Sequence, residues 1–306
     1  MRGQKISKFM FDYENAEKLS AAIIKKIAFF DLFNYPLTAY EIRKELNSEI
    51  EQEKIIKILS QEIVLPIAIR KIEGKNGFYF LVGREQILSD RQKRYNYSYR
   101  KIKIARRFAR VFSFCPFVQA IALANSIGGH NLRDESDIDF FIITSARRIW
   151  LSRLYCAGLA KILNRRPTEN NKKDKLCLSF YVSEDRLDLS DLKLKGEDPY
   201  FDCWRRSLVL LYNRNEAYKN FLSANFGSGD KYANAKISKF LFFTFLEKIA
   251  KKWQLAVMSP LLRAKMNDSD GVVINDKILK LYTHDRRREY AEKYGNKIRE
   301  IFKEIA

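Results

Sequence analysis

Apolar positions near the start of the chain recur with the period of an α-helix. Residues 17–33 carry large apolar side chains three or four positions apart: Leu19, Ile23, Ile27 and Phe30. This spacing predicts a first helix. A second helix is expected over residues 39–46, because Thr38 and Glu41 have the T-x-x-E spacing of a capping box. Apolar positions with helical spacing over residues 48–62 predict a third helix.

Two apolar runs, residues 67–72 and 78–82, flank the turn-forming sequence Gly-Lys-Asn-Gly and predict a β-hairpin. Three helices followed by a hairpin resemble a winged helix-turn-helix domain. The third helix carries more acidic than basic side chains, namely Glu49, Glu51, Glu53 and Glu62 against Lys54 and Lys57. An acidic helix is poorly suited to a phosphate-lined groove, so we expect an interaction or positioning role rather than sequence-specific DNA reading.

The remainder of the chain combines a few apolar strands with longer helical segments. Strands are predicted at residues 117–123, 137–144 and 176–182, with a helix over residues 147–163. Three further helices are predicted at residues 200–211, 216–224 and 237–258. A short strand at residues 271–275 precedes a last basic helix. The three tryptophans are predicted to be core or helix-packing residues: Trp150, Trp204 and Trp253.

The segment over residues 237–258 is strongly apolar but is not continuous enough to cross a membrane. Four charged residues interrupt it: Glu247, Lys248, Lys251 and Lys252. The pattern indicates an amphipathic helix that is buried or faces a partner. Binding to a membrane surface stays open as an alternative.

Composition narrows the class of protein. The 306 residues include 57 Lys+Arg against 37 Asp+Glu, a formal charge of +20, which attracts polyanions such as nucleic acids and nucleotides. A hydrophobic content of 46% excludes global disorder. Four scattered cysteines without a C-x-x-C pair, and only two histidines, argue against a zinc site. Without an apolar run of transmembrane length or a signal-peptide pattern, we expect a reduced, cytoplasmic protein.

Much of the positive charge lies in one stretch, residues 91–110, which contains no acidic side chain. Tyr95, Tyr97 and Tyr99 are interleaved with the basic residues, as on surfaces that hold phosphates and stack bases. The predicted nucleic-acid patch, for RNA or DNA, consists of Arg94, Arg100, Lys103, Arg106, Arg107 and Arg110. The alternative is a solvated connecting helix with a buried apolar stripe.

The most informative residues are two aspartates, Asp137 and Asp139, within a predicted strand. Residues two apart in a strand point to the same face, so both carboxylates project together and repel each other when ionised. A hard divalent cation such as Mg²⁺ is the natural compensation. Upstream, Ser126 and the pair Gly128-Gly129 lie in a loop whose backbone N–H groups could cradle a phosphate chain.

This segment resembles the signature of the DNA polymerase β-like nucleotidyltransferases. Ser126 matches the serine of that signature, and the run Ser136-Asp137-Ile138-Asp139 matches its S-D-I-D form. The resemblance implies that the two aspartates hold two Mg²⁺ (or Mn²⁺) ions that orient an NTP. It also implies a nucleotide-binding set of Asn125, Ser126, Gly128, Gly129, Ser136 and Arg133. Arg133 would offset the charge of leaving pyrophosphate, or else be a solvated loop residue.

The chain departs from the family pattern in two places. Asn125 stands where the family has glycine, and the predicted strand 176–182 lacks the third carboxylate of many active members. Glu184 and Asp185 lie just past that strand, and Asp285 is a more distant candidate. The expected activity is Mg²⁺-dependent transfer of a nucleoside monophosphate to RNA, a small molecule or a protein. The alternative is a non-catalytic nucleotide-binding regulator, or a toxin–antitoxin-type component with a DNA- or partner-binding winged helix.

The expected fold class is α+β, with three domains. A winged-helix-like domain is predicted over residues 1–84. A nucleotidyltransferase core, with a small mixed sheet flanked by helices and the basic connecting helix, is predicted over residues 85–225. A helical region is predicted over residues 226–306. The oligomeric state does not follow from these patterns.

Overall fold

The structure, a computed structural model, describes residues 2–46, 50–60, 71–124, 130–227, 241–267 and 270–303, with side chains in the first helix from Ala16 onward. These residues form helices and two sheets, and the predicted α+β class is confirmed. The chain divides into two compact units. One contains the residues up to Lys93 together with those from Glu289, and the other is Arg94–Arg288. The predicted division into three domains stays a prediction.

The first unit begins with three helices and a small antiparallel sheet. The helices are α1 (Arg2–Asp31), α2 (Ala39–Leu46) and α3 (Gln52–Leu59). The strands are β1 (Leu37–Thr38), β2 (Ile72–Lys75) and β3 (Phe78–Leu81), in the order β1-β3-β2. Glu49, Glu62 and most of the predicted strand 67–72 lie outside the described residues.

The predicted capping box at the start of α2 is confirmed. The backbone N–H and hydroxyl of Thr38 donate to Glu41 Oε2 at 2.8 and 2.9 Å, and the Glu41 N–H donates to Thr38 Oγ1 at 3.2 Å. The hairpin turn contains fewer residues than predicted, because Gly74 and Lys75 still belong to β2. Asn76 and Gly77 have φ of 53° and 77°, left-handed values typical of a two-residue hairpin turn.

The second unit is built on a six-stranded sheet of order β7-β4-β5-β6-β9-β8. Its strands are β4 (Val118–Leu123), β5 (Ile138–Thr144), β6 (Leu176–Ser183), β7 (Val209–Asn213), β8 (Val272–Ile274) and β9 (Ile278–Leu281). Only β5 and β6 run parallel; the other pairs are antiparallel. The prediction of helix over 209–211 was wrong, because these residues pair with β4 as the edge strand β7.

Helices cover both faces of this sheet. They are α4 (Ile87–Phe112), α5 (Ile149–Ile162), α6 (Pro199–Ser207), α7 (Ala217–Phe226), α8 (Leu241–Ala256) and α9 (Pro260–Ala264). The last helix, α10 (Arg287–Lys303), belongs to the first unit from Glu289 onward. Side chains of α4, α5 and α8, among them Phe112 and Trp150, share one core with Ile142 of the sheet. On the other face, Trp204 of α6 shares a second core with Phe141.

Two of the three tryptophans are core residues, as predicted. Trp150 and Trp204 are 1% and 6% exposed. Trp253 on α8 is 54% exposed, so the prediction was wrong for this residue. Among the described helices, none combines the length and apolar character that crossing a bilayer requires.

Candidate metal-binding site at the start of the central strands

Asp139 of β5 and Asp137, the residue immediately before this strand, lie on one face of the sheet. Ile138 and Phe140, which alternate with them, are fully buried in the core on the opposite side. Because successive side chains of a strand point to opposite faces, this apolar pair directs both aspartates away from that core. Both aspartates are half-buried. Their role as metal ligands stays a prediction.

A third possible ligand comes from the neighbouring strand. In the parallel pairing of β5 with β6, Cys177 is the register partner of Asp139. One ligand atom from each of Asp137, Asp139 and Cys177 lies within 4.8 Å of the other two. The sequence did not predict Cys177 as a ligand, because the third ligand in the family pattern is a carboxylate. The buried neighbours Leu176 and Leu178 were a signal that Cys177 faces the other way.

A register shift adjoins the cluster. Between the pairs Asp139–Cys177 and Phe141–Phe180, strand β6 has one residue more than β5. This extra residue is typical of a β-bulge, a feature that often re-aims side chains beside active sites. Ser179 lies within the shifted stretch, and its Oγ is 3.1 Å from Cys177 Sγ.

Burial disfavours the charged forms of Asp137 and Cys177. Burial raises the pKa of Asp137, although its own backbone N–H and the charges of Lys172 and Lys101 oppose the rise. Burial, reinforced by the charges of Asp139 and Asp137, raises the pKa of the Cys177 thiol well above its usual range. The thiol is therefore protonated at neutral pH. A bound divalent ion would offset the repulsion between the carboxylates.

The donor set fits the predicted cation in part. Two carboxylates from one strand are ligands that Mg²⁺ and Mn²⁺ prefer, with water or phosphate oxygens completing the shell. A thiol is a softer donor that suits zinc and related ions better than Mg²⁺. Asp137 and Asp139 would therefore hold Mg²⁺, and Cys177 would lie beside the ion in place of a third carboxylate.

Tyr282, just after β9, connects the cluster with a cavity. Burial, followed by the charges of Asp139 and Cys177, raises the pKa of its phenol well above the usual range. Tyr282 also lines a cavity of about 280 Å³. Basic and acidic side chains both line this cavity: Lys265, His284 and Arg288 together with Asp270 and Asp285. Arg288 pairs with Asp270 at 2.6 Å and Asp285 pairs with Lys280 at 2.9 Å, so the lining carries charges of both signs.

The predicted phosphate-binding residues Asn125, Ser126, Gly128 and Gly129 lie outside the described residues. The residue immediately before this segment, Ala124, is described. It donates its backbone N–H to the carbonyl of Asp139 at 2.8 Å. The segment that resembles the phosphate-binding loop therefore starts beside the second aspartate.

The two other residues of the predicted nucleotide-binding set are described. Ser136 uses its hydroxyl to donate to the Arg133 carbonyl at 2.9 Å. Arg133 itself is exposed, which agrees with the alternative of a solvated loop residue.

A buried lysine that sequence reasoning did not single out holds the backbone in front of Asp137. Lys101 of α4 is fully buried and donates to the Ser136 carbonyl at 2.6 Å and to Asp174 Oδ1 at 2.8 Å. Arg100 donates to Asp134 and Asp174 at 2.6 and 3.1 Å. These contacts tie the loop before β5 and the loop before β6 to one helix.

These contacts engage two members of the predicted nucleic-acid patch and leave the other four on the surface. Arg94 is buried and donates to Asn131 Oδ1 at 2.8 Å, while Arg100 belongs to the ion pairs just described. The other four members are exposed on α4: Lys103, Arg106, Arg107 and Arg110. Lys103 lies over the ring of exposed Tyr99, with its Nζ 4.2 Å from the centroid.

The carboxylates considered as a third ligand are engaged elsewhere. Glu184 follows the far end of β6 and accepts the Ala146 N–H at 3.1 Å. Asp185 pairs with Lys277 at 3.4 Å. Asp285 accepts from Lys280 and Arg287 within a nearly buried ion-pair network. Among the described residues, none of these three belongs to the Asp137 cluster.

Comparison with known proteins returned no match among family models, curated proteins or solved structures.

Proposed function

We propose that this chain is a cytoplasmic nucleotidyltransferase of the DNA polymerase β-like class. It moves a nucleoside monophosphate from an NTP to an acceptor with the help of Mg²⁺ or Mn²⁺. The observation that carries the proposal is the convergence of the Asp137 and Asp139 carboxylates on one sheet face. The hydrogen bond from Ala124 to Asp139 supports it, because it brings the start of the phosphate-loop-like segment to the same place.

The side chains of the site have distinct roles in this proposal. A bound divalent ion would stabilise the attacking and leaving oxygens at the α-phosphorus. Asp137 and Asp139 hold that ion, and Lys101 fixes the backbone that presents them. Ser126 and the glycines of residues 125–129 bind the β- and γ-phosphates, as the resemblance implies.

Nucleic acid, with RNA first, is the acceptor class that the surface of α4 supports. Arg106, Arg107 and Arg110 are exposed and form no ion pair with any described residue. Together with Lys103 over Tyr99 they form a cationic row with an aromatic member, as on surfaces that track a phosphate backbone and stack bases. A small-molecule or protein acceptor stays an alternative.

We propose that the first unit contains a winged helix with an interaction or positioning role. The order of its elements supports this, because β1 falls between the first two helices and pairs with the later hairpin. The two described glutamates of α3 are paired locally, Glu51 with Lys54 and Glu53 with Lys57. Over residues 49–62 the sequence around α3 carries four glutamates against two lysines, which is unfavourable for reading bases in a phosphate-lined groove.

A second function is favoured by one specific observation. Cys177 occupies the strand position across from Asp139, and in the described residues no third carboxylate joins the cluster. A regulator that binds nucleotide without turning it over, or a toxin–antitoxin-type component, would need only the two aspartates.

The decisive experiment incubates purified protein with each α-labelled NTP, Mg²⁺ or Mn²⁺, and total cellular RNA and protein. Label on RNA supports the proposal. Asp137→Asn or Asp139→Asn should lower labelling roughly a thousandfold, equivalent to about 4 kcal/mol of lost transition-state stabilisation. The matched control is Asp185→Asn, an acidic residue of the same unit paired with Lys277. NTP binding without labelling of any fraction would favour the regulator.

A further inference from the structure

Helix α8 buries two polar side chains beside Ala250 on its inner face and exposes several large apolar side chains on its outer face. Glu247 is 9% exposed and accepts the backbone N–H groups of Trp150 and Leu151 at 2.8 and 3.0 Å. Gln254 is 4% exposed, donates to the Trp150 carbonyl at 2.8 Å and accepts from Arg153 at 2.6 Å. These bonds fix which face of α8 packs on α5.

The outward face of α8 and the turn after it is an apolar stripe. Five side chains, 49% to 65% exposed, follow one another three or four positions apart: Phe242, Phe245, Ile249, Trp253 and Val257. At a rise of 1.5 Å per residue the stripe is about 22 Å long. Leu261 of α9 is also exposed. A contiguous apolar surface of this kind is a site of interaction with another molecule or a membrane.

Almost all charged residues of α8 and of the segment that follows it, up to Met266, are basic. Glu247 is the only acidic residue between positions 241 and 266, and it is buried. Five basic residues occupy the same stretch: Lys248, Lys251, Lys252, Arg263 and Lys265. Lys248 and Lys252 are exposed beside the stripe. The surface is therefore complementary to an anionic partner with an apolar interior.

We infer that α8 binds the surface of membranes that contain anionic phospholipids, with its stripe inserted between headgroups and its lysines on phosphates. Ile249, Val257 and Leu261 are aliphatic and cannot stack on bases, so a nucleic acid would leave much of the stripe uncovered. A second copy of the chain is disfavoured, since two such faces would bring Lys248 and Lys252 of one copy against those of the other. Aromatic side chains with flanking lysines are typical of interfacial helices.

Trp253 provides a direct optical test, because the other two tryptophans are buried. The full-length protein is mixed with vesicles of phosphatidylcholine alone, or of phosphatidylcholine with phosphatidylglycerol. We expect sedimentation with the anionic vesicles, a blue shift of the tryptophan emission, and loss of acrylamide quenching on binding. In Trp253→Phe the protein should still sediment, but the blue shift should disappear.

Two double variants distinguish insertion of the apolar stripe from electrostatic attraction alone. Phe242→Ser combined with Phe245→Ser keeps Trp253 and should weaken partitioning by at least about tenfold. Lys248→Glu combined with Lys252→Glu should also abolish the preference for anionic vesicles. The control is Phe114→Ser, another highly exposed phenylalanine outside α8.

Three results would overturn the inference. One is protection of Trp253 from acrylamide in a monomer without vesicles, because another part of the chain would then cover the stripe. The second is vesicle binding that survives both double variants. The third is a dimer in sedimentation equilibrium that Phe242→Ser with Phe245→Ser dissociates. None of these measurements depends on nucleotidyl transfer.

Discussion

Replacement of Lys101 by methionine should destabilise the second unit more than any surface change on α4. Lys101 is fully buried, and its ammonium group joins the Ser136 carbonyl and Asp174. Removing one partner of a buried ion pair costs about 3–5 kcal/mol. Asp174 keeps Arg100 at 3.1 Å and its side chain is 19% exposed, so we expect the lower end, about 3 kcal/mol.

The assay is thermal and urea unfolding of the full chain, followed by circular dichroism. For a unit of roughly 200 residues, about 3 kcal/mol corresponds to a Tm lowered by about 6–12 °C. Lys103→Met is the matched control, since Lys103 lies two residues further along the same helix and is exposed. The control should change the free energy of unfolding by less than about 0.5 kcal/mol. Equal stability of the two variants would refute the reasoning.

Three further predictions concern the site and its surroundings. Cys177→Asp should tighten Mg²⁺ binding about tenfold, equivalent to about 1.4 kcal/mol, in a calorimetric titration; unchanged affinity would contradict a position beside the ion. Arg106→Ala, Arg107→Ala and Arg110→Ala together should flatten the salt dependence of RNA binding by a slope of about 2 to 3; a slope equal to wild type would place RNA elsewhere. Hydrogen bonds from Lys173 and then Arg100 hold the pKa of Asp134 at about 2, below its ordinary value of about 3.9. Its contribution to stability is present above about pH 4 and lost as the pH falls toward 2, so Asp134→Asn should lose less stability on acidification than wild type in urea unfolding.

Much of the fold could be predicted from patterns among residues that are close in the sequence. The helical spacing near the start of the chain and the capping box at Thr38 and Glu41 needed only neighbouring residues, and the structure confirms both. The same holds for the placement of Asp137 and Asp139 on one face, because strand geometry repeats every two residues. The segment 209–211 was misassigned because its pairing with β4, almost 90 residues earlier, is absent from local periodicity.

The tertiary structure decided which residues complete the site. Cys177 joins Asp139 only through the register of β5 against β6, and no spacing in the sequence encodes that register. Lys101 looked like one more cation of a basic helix, yet burial and the Ser136 carbonyl make it a structural anchor. Burial depends on what packs around a residue, which a single local segment does not contain.

For α8, the sequence by itself determined an amphipathic helix with apolar and basic residues. It did not determine which face turns inward. The N–H groups at the start of α5 need acceptors, and Glu247 and Gln254 satisfy backbone groups there, so these two side chains are buried and Trp253 is outward. Hydrogen bonds between distant segments, together with the packing of Ala250 in the core, set the orientation of the helix.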